Sequence, residues 1–267
     1  GSTDREVLLT SYICHPSMAN NELSGPLAIA FLYQQLKNIP NRQLTYRFFI
    51  GPETLGALYY LSKFGGHFTK RLEAGFVLTC CGDLHDLTFK KSRCSSGINT
   101  LVPHILAHKF GSRYSVREFF PMGSDERQYC SPGFDLPVAC VTRSLYGEYK
   151  QYHTSKDDKS VIDFTALKET VMVMTDVCRA MELNGFYRNV LPYGEPQLGR
   201  RGLYPTLMSD LTREKKIERI LYLLNYADGA HSLLDIAEKA GQPLLSFGKE
   251  IKALTDAGLL TKERVRV

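Results

Sequence analysis

Residues 6–36 read EVLLTSYICHPSMANNELSGPLAIAFLYQQL. The first eight, Glu6 to Ile13, are apolar and rich in β-formers, and they predict a buried strand. Cys14-His15-Pro16 ends it. Asn20 to Gly25 has loop composition, and Ser24-Gly25-Pro26 opens a helix with proline near its first turn. That helix, Leu27 to Leu36, carries apolar residues on most faces, as a well-buried helix does.

The same alternation continues along the chain. Leu44 to Ile50 (LTYRFFI) is a second strand, followed by Gly51-Pro52-Glu53, and Leu55 to Phe64 is a short helix. Gly75 to Cys81 (GFVLTCC) is a third strand, ended by Gly82-Asp83. Thr100 to Phe110 reads as a helix, Ser115 to Phe119 as a short strand, and Leu136 to Thr142 (LPVACVT) as a strand after Pro132-Gly133. Asp163 to Leu183 is a long amphipathic helix. Strands alternating with helices predict an α/β fold, a mainly parallel sheet covered on both faces.

The character changes at Asn184 to Ser209, where Pro192, Gly194, Pro196, Gly199, Gly202 and Pro205 accumulate. This suggests a first domain over residues 1–184, a linker over 185–208 and a second domain over 209–267. In the last of these, Thr212 to Asn225, Leu233 to Ala240 and Leu244 to Ala257 are helical patterns. Asp228-Gly229 and Gly241 punctuate them, and Thr261 to Val267 is a basic, β-prone tail. Three helices, a tight turn and a terminal strand pair predict a winged helix.

Bulk properties exclude several classes. The 43% hydrophobic and 23% charged content is that of an ordinary globular chain rather than a disordered one. A net charge of +5 over 267 residues makes no case for nucleic acid or membrane. The seven cysteines have no framework spacing, which argues against a disulfide scaffold and fits a reducing cytoplasm. No apolar run approaches the roughly 18 residues of a membrane span, and no signal peptide is visible. From Ser209 to Val267, ten Lys or Arg face nine Asp or Glu, so the winged helix lacks the basic face of a DNA reader and reads as a packing or partner-binding module.

In parallel α/β sheets, ligands bind beyond the carboxyl ends of the strands. His15 follows the first strand and Glu53 the second. Cys80, Cys81 and Asp83 follow the third, and Tyr152-His153 follows the strand at Leu136. Asp125, in Gly123-Ser124-Asp125, lies just ahead of that strand. Two histidines and several carboxylates in strand-end loops make the layout of a metal site built from imidazole and carboxylate.

These pieces resemble the zinc aminopeptidase family with a co-catalytic metal pair, the leucyl aminopeptidase and glutamate carboxypeptidase type. The resemblance covers about Glu6 to Leu183 and rests on five elements. They are the strand running into His15, the loop Ala19 to Gly25, Glu53-Thr54-Leu55-Gly56, the Ser124-Asp125 loop, and Tyr152-His153-Thr154 with Asp157. A subgroup with a C-terminal winged helix is similar along the whole chain. The resemblance implies a three-layer zinc-exopeptidase-like fold, one or two zinc ions, and a peptide or other amide substrate. It implies that His15 and His153 bind metal, with Asn21 at the position of the bridging ligand. Glu53 would be the general base, Tyr152 the oxyanion donor, and Asp125 and Asp157 outer-shell orienters.

The departures are Asn21 where the family has a bridging aspartate, Thr54 where it has a second glutamate, and Thr79 where it has another aspartate. A neutral amide cancels none of the repulsion between two dications. Three outcomes are open: a single zinc with Glu53 promoted to ligand beside the histidines; replacement ligands from Glu22, Asp83 or Cys80; or a metal-free, non-catalytic binding protein. A regulator that binds DNA through the winged helix is a further alternative. Each residue also has a plain structural use: His15 as a strand cap, Glu53 as a helix N-terminal carboxylate, Asp125 as an N-cap.

Overall fold

The computed structural model describes residues 1–204 and 210–263, the last group without the side chains of 210–213. The end of the stretch read as a linker, 205–208, and the end of the basic tail, 264–267, lie outside the described residues. The chain divides into two compact units, Gly1–Cys178 and Arg179–Val267.

The first unit is built on a six-stranded sheet in the order β2-β1-β3-β6-β4-β5. The strands are β1 (Glu6–Tyr12), β2 (Thr45–Gly51), β3 (Leu72–Leu78), β4 (Leu87–Lys90), β5 (Tyr114–Arg117) and β6 (Val138–Thr142). β1 pairs in parallel with β2 and β3, and β3 with β6. β4 runs antiparallel to β6 and parallel to β5, so the sheet is mixed with a parallel centre. Every residue of β1 is buried, as a strand covered on both faces must be. On one face Leu8, Tyr12 and Val77 form a cluster with Ala57, Leu61, Phe68, Tyr129 and Leu136.

The other face of β1 meets α1 (Ser24–Leu36) at unusually close range. A Cβ on Gly25 would lie 2.2 Å from the Leu78 carbonyl oxygen and 2.4 Å from Ser11 Oγ. The Ser24-Gly25 pair is therefore a packing requirement, since no larger residue lets the helix start against β3. Ser24 Oγ then accepts from the Cys81 N–H at 2.8 Å and donates to the Asn20 carbonyl, tying the helix start to the loop before it and to the end of β3.

Two elements of this unit differ most from the reading of the sequence. α2 runs from Leu55 to Arg71, seven residues past Phe64, straight through Gly65-Gly66. Gly65 is there for contact rather than for a turn: a Cβ would lie 2.3 Å from the Phe134 ring. β4 carries Lys90 at 0% exposure. Its ammonium ion-pairs with Glu126, also fully buried, and donates to the carbonyls of Phe120 (3.1 Å) and Met122 (2.8 Å). The remaining helices of this unit are α3 (Ile98–Phe110), the single turn α4 (Glu126–Tyr129) and most of α5 (Phe164–Leu183).

The second unit begins in the last turn of α5. Phe186–Asn189, inside the stretch read as a linker, is a strand, β7. It pairs antiparallel with β8 (Asp228–Ser232) and β9 (Leu260–Lys262) in the order β8-β7-β9. Helices α6 (Asp210–Tyr226), α7 (Leu233–Lys239) and α8 (Gly248–Asp256) complete a winged-helix unit. Ser232 and Asp235 form a reciprocal capping box that starts α7. Among the described residues no helix is long and apolar enough to cross a membrane.

Candidate metal and hydrolase site at the carboxyl edge of the sheet

The chain leaves β1 toward β2 on one side and later places β3 on the other, so the carboxyl end of β1 is a topological switch point of the sheet. His15 sits there. Its ring centroid is 4.3 Å from that of His153, which arrives in the loop after β6. Two imidazoles far apart in sequence are thus neighbours in space. Tyr152 stacks on His153, with ring centroids 4.0 Å apart and planes 12° from parallel.

Glu22 holds His15 in place. Its carboxylate is 1% exposed, lies 3.1 Å from His15 Nδ1, and accepts from the Asn21 amide at 2.6 Å and from the Cys14 N–H. Binding of Nδ1 to this carboxylate leaves Nε2 of His15 free to act. Burial and the neighbouring His15 ring lower the pKa of His153. Glu53 is half-buried, and burial together with the negative charges of Glu22 and Glu126 raises its pKa against the pull of Arg127 and His15. That same set of neighbours places Glu53 in the field of both His15 and Glu22. Burial pushes the Tyr152 phenol up to about 12, so it remains a hydrogen-bond donor at neutral pH.

The other residues singled out in the sequence have different partners from those the resemblance implies. Asn21 is at the site, but its amide nitrogen is spent on Glu22 and its oxygen accepts from the Cys80 thiol at 3.6 Å. Thr79 is buried, donates to the Asn21 carbonyl at 3.1 Å and shares a hydrogen bond with the Tyr12 phenol. Asp157, fully buried, accepts from the backbone of Asn20 (2.7 Å) and Asn21 (3.0 Å) and from the Tyr149 hydroxyl (2.9 Å). Its task is to staple the wide helical turn Ala19–Leu23. Asp125 makes no capping bond to α4; instead it accepts from the Thr54 N–H at 2.7 Å. Burial raises Asp125 to about 7, with the Thr54 N–H as the main opposing influence.

Asp83 serves Asn20 at 2.7 Å and His85 at 2.9 Å rather than the histidine pair. Ser144 Oγ is 2.8 Å from His85 Nδ1, the same nitrogen that meets Asp83. A nucleophile relay needs the two ring nitrogens to serve different partners, so this trio is not one. Tyr149 and Asn20 are the contributors to this edge that carry no strong sequence signal of their own. Glu22, one of the replacement ligands the sequence offers, meets His15 Nδ1 instead.

Four of the non-glycine residues with positive φ lie in these loops: Ser17, Thr54, Cys80 and His153. Backbone strain of this kind collects at functional sites.

Residues 1–184 match the family described as a domain of unknown function (DUF4910). The chain belongs to this family. Residues 185–262 match a winged helix-turn-helix family. A Clostridium acetobutylicum protein named for polysaccharide biosynthesis and an aminopeptidase-like domain is 38% identical over 258 residues, which are 96% of this chain and 58% of that protein. A crystal structure of a candidate peptidase from the same organism superposes with a TM-score of 0.86 at 36% identity, over 97% of this chain and 58% of the other. The chain therefore spans a little over half the length of these relatives. BSAP, a zinc aminopeptidase from Bacillus subtilis, superposes with a TM-score of 0.56 at 21% identity, over 65% of this chain and 45% of that one. That distance shows a common fold, and fold alone does not fix activity.

The donor chemistry can be tested against zinc directly. A co-catalytic pair does not fit: the positions at Asn21, Thr54 and Thr79 are neutral, and the Asn21 oxygen is already engaged. Among the described residues no three His, Cys, Asp or Glu side chains converge on one centre. What is in place is two adjacent imidazoles, one of them oriented by Glu22, with Glu53 within their electrostatic reach. The two imidazoles are one protein ligand short of the three that hold a catalytic zinc.

Proposed function

We propose that this family member is a single-ion amide hydrolase acting on a peptide or similar small amide, with His15 and His153 holding the ion. The observation that carries the reading is the pairing of these two imidazoles at the switch point of the sheet. A bound zinc would polarise the scissile carbonyl and acidify a nearby water. The residues of the chain supply the rest. Glu53 takes the proton from the attacking water, and its raised pKa makes it a better base near neutrality than an ordinary carboxylate. Tyr152, protonated and stacked on His153, donates a hydrogen bond to the developing oxyanion. Glu22 fixes the ring of His15. Glu53 is taken as base rather than ligand, and Asn21 is left out of the ligand set.

A second reading has an observation of its own. The neutral residues at 21, 54 and 79 favour a non-catalytic protein that keeps the fold as a binding surface. One experiment separates the two. Purified protein with one equivalent of zinc is assayed on a series of aminoacyl anilides, before and after chelation. Turnover that disappears on chelation and returns with zinc is expected. Protein that takes up no zinc, or takes it up and turns over nothing, contradicts the hydrolase and supports the second reading.

A further inference from the structure

Glu53 precedes one of the strained residues of the site. Thr54 has φ +61° and ψ −64°, and the Leu55 N–H donates back to the Glu53 carbonyl at 2.6 Å. This is a γ-turn of the rare, strained hand. A branched Cβ makes a positive φ worse, and for such a residue it is a true outlier.

Two side chains from one short segment grip this turn. Asp125 Oδ1 accepts the Thr54 N–H at 2.7 Å, and Arg127 Nη2 donates to Thr54 Oγ1 at 3.1 Å. The grip has a stiff base. Asp125 is 2% exposed, and its neighbour Glu126 is locked by the buried ammonium of Lys90 from β4. Lys90 in turn holds the carbonyls of Phe120 and Met122, on the approach to the Gly123-Ser124-Asp125 loop. The contacts run from β4 through Glu126 and its neighbours to the backbone of residue 54.

We propose that Asp125 and Arg127 are positioning residues: they clamp the strained turn at Thr54 and so aim the Glu53 carboxylate at the His15 side of the site. The catalytic sense of the clamp rests on the hydrolase reading, but its mechanics do not.

The test is a thermal unfolding cycle on four forms of this 267-residue chain: wild type, Thr54→Gly, Asp125→Ala and the double variant. Glycine adopts this turn without strain. In wild type, Thr54→Gly gives up the Arg127 contact but relieves the turn while Asp125 still holds its backbone N–H. Once Asp125→Ala has let the turn relax, the same change relieves nothing and adds only the flexibility of glycine. The Tm change on Thr54→Gly is therefore more favourable by about 2–4 °C in the wild-type background than in Asp125→Ala. An equal change in both backgrounds overturns the clamp. Kinetics supply the second arm. Asp125→Ala and Arg127→Met lower kcat roughly 10–100-fold, as misaimed groups do, with KM and zinc content unchanged. Asp125→Asn, which keeps an acceptor for the Thr54 N–H, recovers most of the loss. Coupling in the unfolding cycle without turnover in any protein, wild type included, leaves the clamp standing and removes the hydrolase. Turnover without coupling removes the clamp alone.

Discussion

Removing either imidazole is expected to reduce zinc-dependent turnover by on the order of 10³-fold, the scale set by several kcal/mol of charge stabilisation at the reacting carbonyl. His15→Ala removes the ring that Glu22 orients. At position 153 the better substitution is Asn, because φ there is +54° and Asn tolerates left-handed backbone where Ala is strained. Neither ring is part of the hydrophobic core, so both variants retain the wild-type Tm to within a few degrees, the response to surface substitutions. The double variant falls no further than the single ones, since two ligands of one ion act as a unit. Zinc content by elemental analysis drops in parallel with turnover. Variants that keep both zinc and turnover contradict the assignment.

The second large effect is at Glu53. Glu53→Gln is expected to lower kcat by about 10²–10⁴-fold, the range for loss of a general base, while zinc content and KM stay near wild type. The pH profile sharpens the prediction. Burial raises the pKa of Glu53, so the base form is lost as pH falls through that raised value. In wild type the acid limb of kcat/KM accordingly lies above the ordinary glutamate range near ~4.3, and Glu53→Gln abolishes it. Stability moves in the opposite sense. A raised folded-state pKa contributes stability that is present below the unfolded value and lost as pH rises through the folded one. Thermal unfolding should therefore show Glu53→Gln gaining on wild type as pH increases. A variant with wild-type turnover, or an acid limb that survives the substitution, removes Glu53 from the chemistry.

The parallel centre of the sheet was legible because its strands are continuous apolar runs, and a run such as Val7 to Leu9 has few other uses. β4 was not legible, because it is four residues long and ends in Lys90. Sequence rules place a lysine in water, whereas here a buried glutamate and two carbonyls receive it. The far half of α2 was hidden by Gly65-Gly66, which has the composition of a break but is selected by the Phe134 ring. β7 was hidden by the prolines and glycines that follow it, although its pairing with β8 and β9 needs only four residues.

The site divides along a similar line. Histidines at the ends of strands could be picked out singly, and the structure brings His15 and His153 together. What a linear reading could not supply is the use of each carboxylate. Asp125 and Asp157 are both acidic and both buried, yet one grips the backbone at Thr54 and the other the backbone at Asn20 and Asn21. Backbone donors carry no residue-type signature, so contacts of this kind are invisible before the fold is known.

The most direct test of the central claim is anomalous diffraction at the zinc edge from crystals of this chain grown with zinc. One peak is expected, about 2.0–2.1 Å from a ring nitrogen of His15 and from one of His153. Two peaks flanking Asn21, or zinc bound only away from these two rings, would contradict it.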